Sequence, residues 1–300
     1  MSLDADYEVE RYPLVTGRRV KVCRCTHRST GAKRAVKVYH TAAMDSRRTA
    51  MTVEEGTLAK SLPVAPQLVR VFDVYVEADR LSIVMEYIER GSLYQLITTR
   101  GALAETEARD VTRDIFTGLA LLHGNNIMHR DIKPENVFLR TTTSSSTSPT
   151  GAAATKTASA ATTMAAIGDF GFATRRIPHD EFVGSPQYSA PELALVALQQ
   201  HCRRSGAALP VSAQPLYNEK CDVWSAGVVV FVMLTGLLPF DGATPEDVFT
   251  AVIRNAVPFD KVPPGRMSPS AKAFIQALLT PNPSRRPSAR EALRHVWLTG

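Results

Sequence analysis

Between His129 and Asn136 the chain reads His-Arg-Asp-Ile-Lys-Pro-Glu-Asn. A carboxylate at Asp131, an ammonium at Lys133 and a carboxamide at Asn136 share this short stretch. A loop of this length can turn all three polar groups toward one point. A second carboxylate, Asp169, stands in Asp169-Phe170-Gly171, close behind the apolar Ile167. Carboxylate and carboxamide oxygens are the ligands a hard cation takes. Far upstream, Lys37 ends the apolar run Ala35-Val36. Alone, a lysine there is more often a solvated strand end.

The elements that must position these groups are of two kinds. Val20 and Val22, then Ala35, Val36 and Val38, alternate with polar residues, with Ser29-Thr30-Gly31 as a turn signal between them. That predicts antiparallel strands within 14–38. Val53, Leu58 and Leu62 among charges predict one helix over 49–62, and residues 68–76 and 81–87 are β-rich again. Beyond residue 90 the apolar residues recur every three or four positions, as in Val111, Ile115, Leu119 and Leu122, or Ala271, Phe274, Ile275 and Leu278. This is helical spacing. The class is α+β in two lobes. A small antiparallel sheet with one main helix fills about 12–87, and a larger, mainly helical lobe about 88–298. Residues 141–166 are almost all Thr, Ser and Ala. Such a stretch buries too little apolar surface to offset its ordering entropy, and it reads as a disordered insertion. Residues 197–216, with His201-Cys202-Arg203-Arg204 and two prolines, read as a second irregular loop.

Bulk properties exclude several classes. The chain has 300 residues, 35 Lys+Arg against 29 Asp+Glu, and 44% hydrophobic residues. That suits a globular enzyme domain. The net charge of +6 is not gathered into a dense block, so the surface is expected to be mixed, without a nucleic-acid partner. Cys23, Cys25, Cys202 and Cys221 form no C-x-x-C pair, which predicts reduced thiols and no zinc site. The acidic N-terminus lacks an apolar h-region, so no signal peptide is expected. The longest uncharged run, Val223 to Phe240, is interrupted by Ser225, Gly227, Thr235, Gly236 and Pro239. It reads as a buried helix, not a membrane span. The cytoplasm is the expected location, with the nucleus as an alternative.

With these motifs in order, the chain resembles a eukaryotic protein kinase catalytic domain of the serine/threonine type. The segment His129–Asn136 is similar to the family's catalytic loop, Asp169-Phe170-Gly171 to its metal-binding triplet, and Ala35-Val36-Lys37 to its V-A-I-K strand. The resemblance implies a kinase-like fold, ATP and Mg²⁺ (Mn²⁺ as an alternative) as cofactors, and protein hydroxyls as acceptors. It gives Asp131 the substrate hydroxyl's proton, Lys133 the transferring phosphoryl, and Asn136 and Asp169 the metal. Lys37 would contact the α- and β-phosphates, paired with a helix carboxylate, Glu55 or else Glu54. Ile83 to Tyr87 resembles the hinge, with Met85 as gatekeeper and the backbone near Glu86 and Tyr87 holding adenine, and Ala35 and Val22 lining the nucleotide site. Gly184-Ser185-Pro186-Gln187-Tyr188-Ser189-Ala190-Pro191-Glu192 is similar to the end of the activation segment. Arg286 is expected to pair with Glu192, and Asp222, in Asp222-Val223-Trp224-Ser225-Ala226-Gly227, to brace the catalytic loop. His295-Val296-Trp297-Leu298 resembles the ending seen in the calcium/calmodulin-dependent kinase group.

The phosphate loop departs from the family. Where G-x-G-x-x-G-x-V is usual, the chain has Val15-Thr16-Gly17-Arg18-Arg19-Val20-Lys21-Val22, and only Gly17 of the three glycines remains. Two readings follow: an active kinase with a raised KM for ATP, or a pseudokinase scaffold that keeps the fold and loses useful catalysis. In the activation segment, Asp180 and Glu181 are read as a partial substitute for a phosphate opposite Arg130. Glu135 leans substrate choice toward basic sequences, although Ser92 stands where basophilic relatives carry a second acid. The protein is expected to act as a monomer, and no calmodulin-binding tail or EF-hand is legible.

Overall fold

The computed structural model describes residues 2–17, 20–41, 44, 46–142, 162–175, 179–205 and 216–300. A short helix α1 (Leu3–Asp6) leads into five strands, β1 (Tyr7–Thr16), β2 (Val20–His27), β3 (Lys33–His40), β4 (Val71–Val76) and β5 (Arg80–Glu86), with helix α2 (Ser46–Lys60) between β3 and β4. The sheet is antiparallel throughout, in the order β1-β2-β3-β5-β4. Residues opposite each other in antiparallel strands share a face. One row on this sheet runs Val15, Val22, Lys37, Ile83, and a second runs Arg24, Ala35, Met85. The alternating residues Cys23, Cys25, Val36 and Val84 fall on the other face, where Leu3, Tyr7 and Tyr75 cover them. Helix α1 and the start of β1, ahead of residue 12, thus pack onto this face.

The helical lobe follows. It comprises α3 (Leu93–Arg100), α4 (Glu105–Gly124), the hairpin β6 (Val137–Thr142) and β7 (Thr162–Ile167), then α5 (Pro191–Ser205), α6 (Lys220–Thr235), α7 (Pro245–Arg254), α8 (Pro269–Leu278), α9 (Ala289–Ala292) and α10 (Val296–Thr299). Helix α6 is apolar on every side and buried, as such a helix must be. It is the pillar of the lobe. Gly227 is required on it, because a Cβ there would lie 2.8 Å from that of Leu278. No helix among the described residues is long and apolar enough to cross a membrane.

Two expectations are corrected. The Ser/Thr/Ala-rich insertion was bounded at 141–166, but Thr141 and Thr142 pair with Thr163 and Thr162 in the hairpin, and the strand continues to Ile167. Threonine is β-branched and suits a strand once partners exist, and these threonines pair with one another where they extend the ladder of Val137–Arg140 with Met164–Ile167. Residues 143–161 lie outside the described residues. The irregular loop placed at 197–216 is helical through Ser205. Leu195, Val196, Ala197 and Leu198 continue into Gln199 and Gln200, mostly good helix formers. Residues 206–215 lie outside the described residues.

Candidate active site

The site is built where the sheet face meets the loops above α6. Asp222, in the first turn of that helix, is completely buried. Its Oδ2 accepts the His129 N–H at 2.8 Å and meets His123 Nε2 at 2.9 Å, while Oδ1 accepts the Arg130 N–H at 2.8 Å. Burial works to raise its pKa, but His123 and the backbone donors outweigh it and hold the carboxyl below its ordinary value. Arg130 sits at φ 68°, a torsion L-residues rarely adopt. The Asp222 carboxylate holds it there, which turns the next residue, Asp131, into the cleft.

Around Asp131 the polar groups converge. Asn136 Nδ2 donates to the Asp131 carbonyl at 2.8 Å and to its Oδ2 at 3.0 Å. Lys133 Nζ lies 2.7 Å from that same Oδ2. Oδ1 accepts both the N–H and the hydroxyl of Ser185, at 3.1 and 3.0 Å, and Lys133 also donates to the Ser185 hydroxyl at 2.9 Å. Ser185 is the residue sequence reasoning missed. Its signal was a hydroxyl fixed between Gly184 and Pro186. Gly184 has φ 92°, and a Cβ there would collide with the Arg130 carbonyl.

Asp169 is carried by β7, which Asp114 of α4 anchors through a 2.9 Å bond from the Ala165 N–H. The Gly168 N–H donates to the Asn136 carbonyl at 2.9 Å, and His129 Nε2 lies 3.1 Å from the Gly168 carbonyl. Catalytic loop and triplet are therefore stitched together. Asp169 itself has φ 56°. Lys37 lies 2.7 Å from Asp169 Oδ1 and 3.2 Å from Glu55 Oε1. Of the two candidate carboxylates, Glu55 faces the strand and Glu54 is exposed. Burial works against the Lys37 ammonium, but the two carboxylates more than offset it and push its pKa up. Burial raises Glu55 despite Lys37. Asp169 stays below its usual range because Lys37 overcomes the burial cost.

These groups fit a divalent cation. The donors are oxygens, and the Asp169 side chain is 43% exposed toward the cleft. Asn136 commits its amide nitrogen to Asp131, which leaves its oxygen for another partner. One lysine between two carboxylates also leaves the cluster short of positive charge.

The remaining residues assigned from the sequence fall as follows. Val15, Val22, Ala35, Lys37 and Met85 share the sheet face described above. Gly17 donates its N–H to the Val20 carbonyl at 2.8 Å, and Arg18 and Arg19 lie outside the described residues. Val15 is 60% exposed. The Glu86 N–H is taken by the Arg70 carbonyl at 2.8 Å and its carboxylate by Arg140 at 3.0 Å, so that N–H has a partner within the protein. Tyr87 lies under the Arg24 guanidinium. Ser92 caps α3, accepting the Gln95 N–H at 3.3 Å. Arg286 forms a two-pronged pair with Glu192, at 2.7 and 3.0 Å.

The substitute-phosphate expectation does not hold. The Arg130 guanidinium donates to the Phe172 carbonyl at 2.6 Å and to the Tyr217 hydroxyl at 3.2 Å, while Asp180 and Glu181 are exposed. A buried neutral hydroxyl occupies the place assigned to a carboxylate.

Comparison with known proteins identifies the family. The family described as the protein kinase domain matches residues 12–298. Calcium-dependent protein kinase 20 of Oryza sativa subsp. japonica is 34% identical over 91% of this chain, and calcium-dependent protein kinase 7 of Arabidopsis thaliana is 33% identical over the same share. Calcium-dependent protein kinase 5 of Plasmodium falciparum (isolate 3D7) is 28% identical over 97%. The chain spans only 44–45% of the length of these curated relatives. The chain belongs to the protein kinase domain family.

Proposed function

We propose that the chain is an ATP-dependent protein serine/threonine kinase, transferring the γ-phosphate of Mg·ATP to hydroxyls of protein substrates. The observation that carries this reading is Lys37, held at once by Glu55 of α2 and by Asp169 beyond β7. That contact joins the sheet to the helical lobe in the arrangement phosphoryl transfer needs. Asp169 and Asn136 would hold Mg²⁺, with Mn²⁺ as an alternative, and the ion when bound neutralises phosphate charge. Lys37 binds the phosphates. Asp131 orients the acceptor hydroxyl and takes its proton as the new O–P bond forms and ADP leaves. Lys133 lies beside that carboxylate, placed to offset charge on the moving phosphoryl. Exposed Glu135 favours basic substrates.

The test is transfer from Mg·ATP to a broad panel of peptides and proteins. The wild type is expected to phosphorylate, and Asp169→Asn to fall to background. A wild type no better than that variant would overturn the reading, and thermal stabilisation by nucleotide without turnover would mark a scaffold instead. Val15 bears on nucleotide affinity. Its exposed β-branched side chain stands on the cleft face where a glycine would let phosphates approach. Val15→Gly is expected to lower the KM for ATP several-fold with kcat unchanged, as steady-state kinetics at varied ATP would show.

A further inference from the structure

Arg130 meets the activation segment directly at Phe172 and, through Tyr217, at Glu181. Its Nε donates to the carbonyl of Phe172, three residues past Asp169, at 2.6 Å. Its Nη1 donates to the Tyr217 hydroxyl at 3.2 Å, and that hydroxyl donates onward to the Glu181 carbonyl at 2.6 Å. Among the described residues, no carboxylate lies within 4 Å of this guanidinium. The link from catalytic loop to segment is therefore made of neutral acceptors.

Tyr217 is built for that position. It is 2% exposed. Its backbone exchanges two hydrogen bonds with His179, at 3.0 and 2.9 Å, and the two rings pack at 5.6 Å. His179 Nδ1 in turn accepts the N–H groups of Asp180 and Glu181, both at 3.1 Å, which sets the turn presenting the Glu181 carbonyl. Only a protonated phenol can accept from Arg130 and donate to a carbonyl together. Burial raises the Tyr217 pKa to about 12, so the phenol keeps its proton at working pH.

We propose that Tyr217 is a positioning residue, latching the activation segment onto the catalytic loop through a neutral hydroxyl in place of an acidic side chain. The latch acts at a distance from the reacting atoms. It fixes Arg130, and through the segment it fixes Ser185, which holds Asp131. The proposal rests on the kinase reading for its kinetic consequence but not for its structural one.

Tyr217→Phe keeps the ring and removes the hydroxyl. It is expected to lower kcat about 10-fold, the size of one buried hydrogen bond expressed in rate, while the KM for ATP stays within two-fold. Amide hydrogen exchange over residues 179–185 of the nucleotide-free protein should quicken. Asp180→Asn with Glu181→Gln keeps the Glu181 carbonyl and changes only exposed side chains, so kcat and exchange should match the wild type. Wild-type exchange in Tyr217→Phe would overturn the latch, as would a loss of kcat in the double variant comparable to that of Tyr217→Phe. The exchange measurement needs no turnover, so a wild type that fails to transfer phosphate would sink the kinase reading and leave the latch separately decided.

Discussion

Asp131→Asn is expected to cut kcat by about 10³-fold, roughly 4 kcal/mol of transition-state stabilisation, while the protein stays folded. The carboxylate is nearly buried and surrounded by donors: the Ser185 N–H and hydroxyl on one oxygen, Asn136 and Lys133 on the other. Asparagine keeps the shape and one acceptor oxygen. It cannot take a proton from the acceptor hydroxyl, and its amide turns a donor toward Lys133 and Asn136, which are donors themselves. The fold survives because the loop is braced by Asp222, through the backbone of His129 and Arg130, and not by Asp131. Initial rates at saturating ATP and substrate, with a thermal melt of the same preparation, check both halves. A variant keeping more than a tenth of wild-type kcat with an unchanged melt would remove Asp131 from the role given to it.

The contrast between those two aspartates shows what the sequence discloses. Asp131, Lys133 and Asn136 were legible because their chemistry is local: five residues of chain bring Asn136 onto Asp131. Glu55 was preferred to Glu54 only through the resemblance, which puts Leu58 and Leu62 at the family's apolar positions, and it is Glu55 that meets Lys37. Ser185 and Tyr217 were not legible. They lie 54 and 87 residues from the groups they hold, and a hydroxyl carries no periodicity to betray its partner. The acidic pair Asp180-Glu181 was legible as charge, yet the fold uses the backbone carbonyl of Glu181 and leaves both side chains in water. Thr141–Thr142 and Thr162–Thr163 failed for a related reason. Composition read them as loop, and only their pairing across the hairpin makes them strand. In α5, polar His201 and Arg203 masked a helix whose propensity lay in the leucines, alanines and glutamines before them.

Arg286→Met is expected to destabilise the protein by about 3–5 kcal/mol, a fall in Tm of about 6–10 °C for a chain of this size. Arg286 is 1% exposed, yet every one of its guanidinium N–H groups has a partner. Nη1 and Nη2 grip Glu192 at 2.7 and 3.0 Å. The same atoms reach the Lys220 and Pro281 carbonyls at 2.7 and 3.2 Å, and Nε reaches the Thr280 carbonyl at 3.1 Å. The guanidinium also lies 5.2 Å from the centre of the Trp224 ring. Desolvating such a cation is costly, and the pair need add little net stability. Removing one member is different, because it strands a buried carboxylate and three carbonyls together. Methionine matches the volume but replaces none of those bonds. Glu192→Gln should also destabilise, by leaving the cation without its counter-charge. Combining Arg286→Met with Glu192→Gln should cost less than the two single losses added, with a coupling of about 2 kcal/mol, because the double variant buries no unpaired charge. Urea unfolding of the four proteins reads that coupling directly. Strict additivity would mean that the pair acts through its separate carbonyl and packing contacts and that the ion pair itself holds nothing. The distinction matters for catalysis, since Glu192 lies in the first turn of α5 and Lys220 begins α6. What Arg286 ties is therefore the end of the activation segment to the helix that carries Asp222.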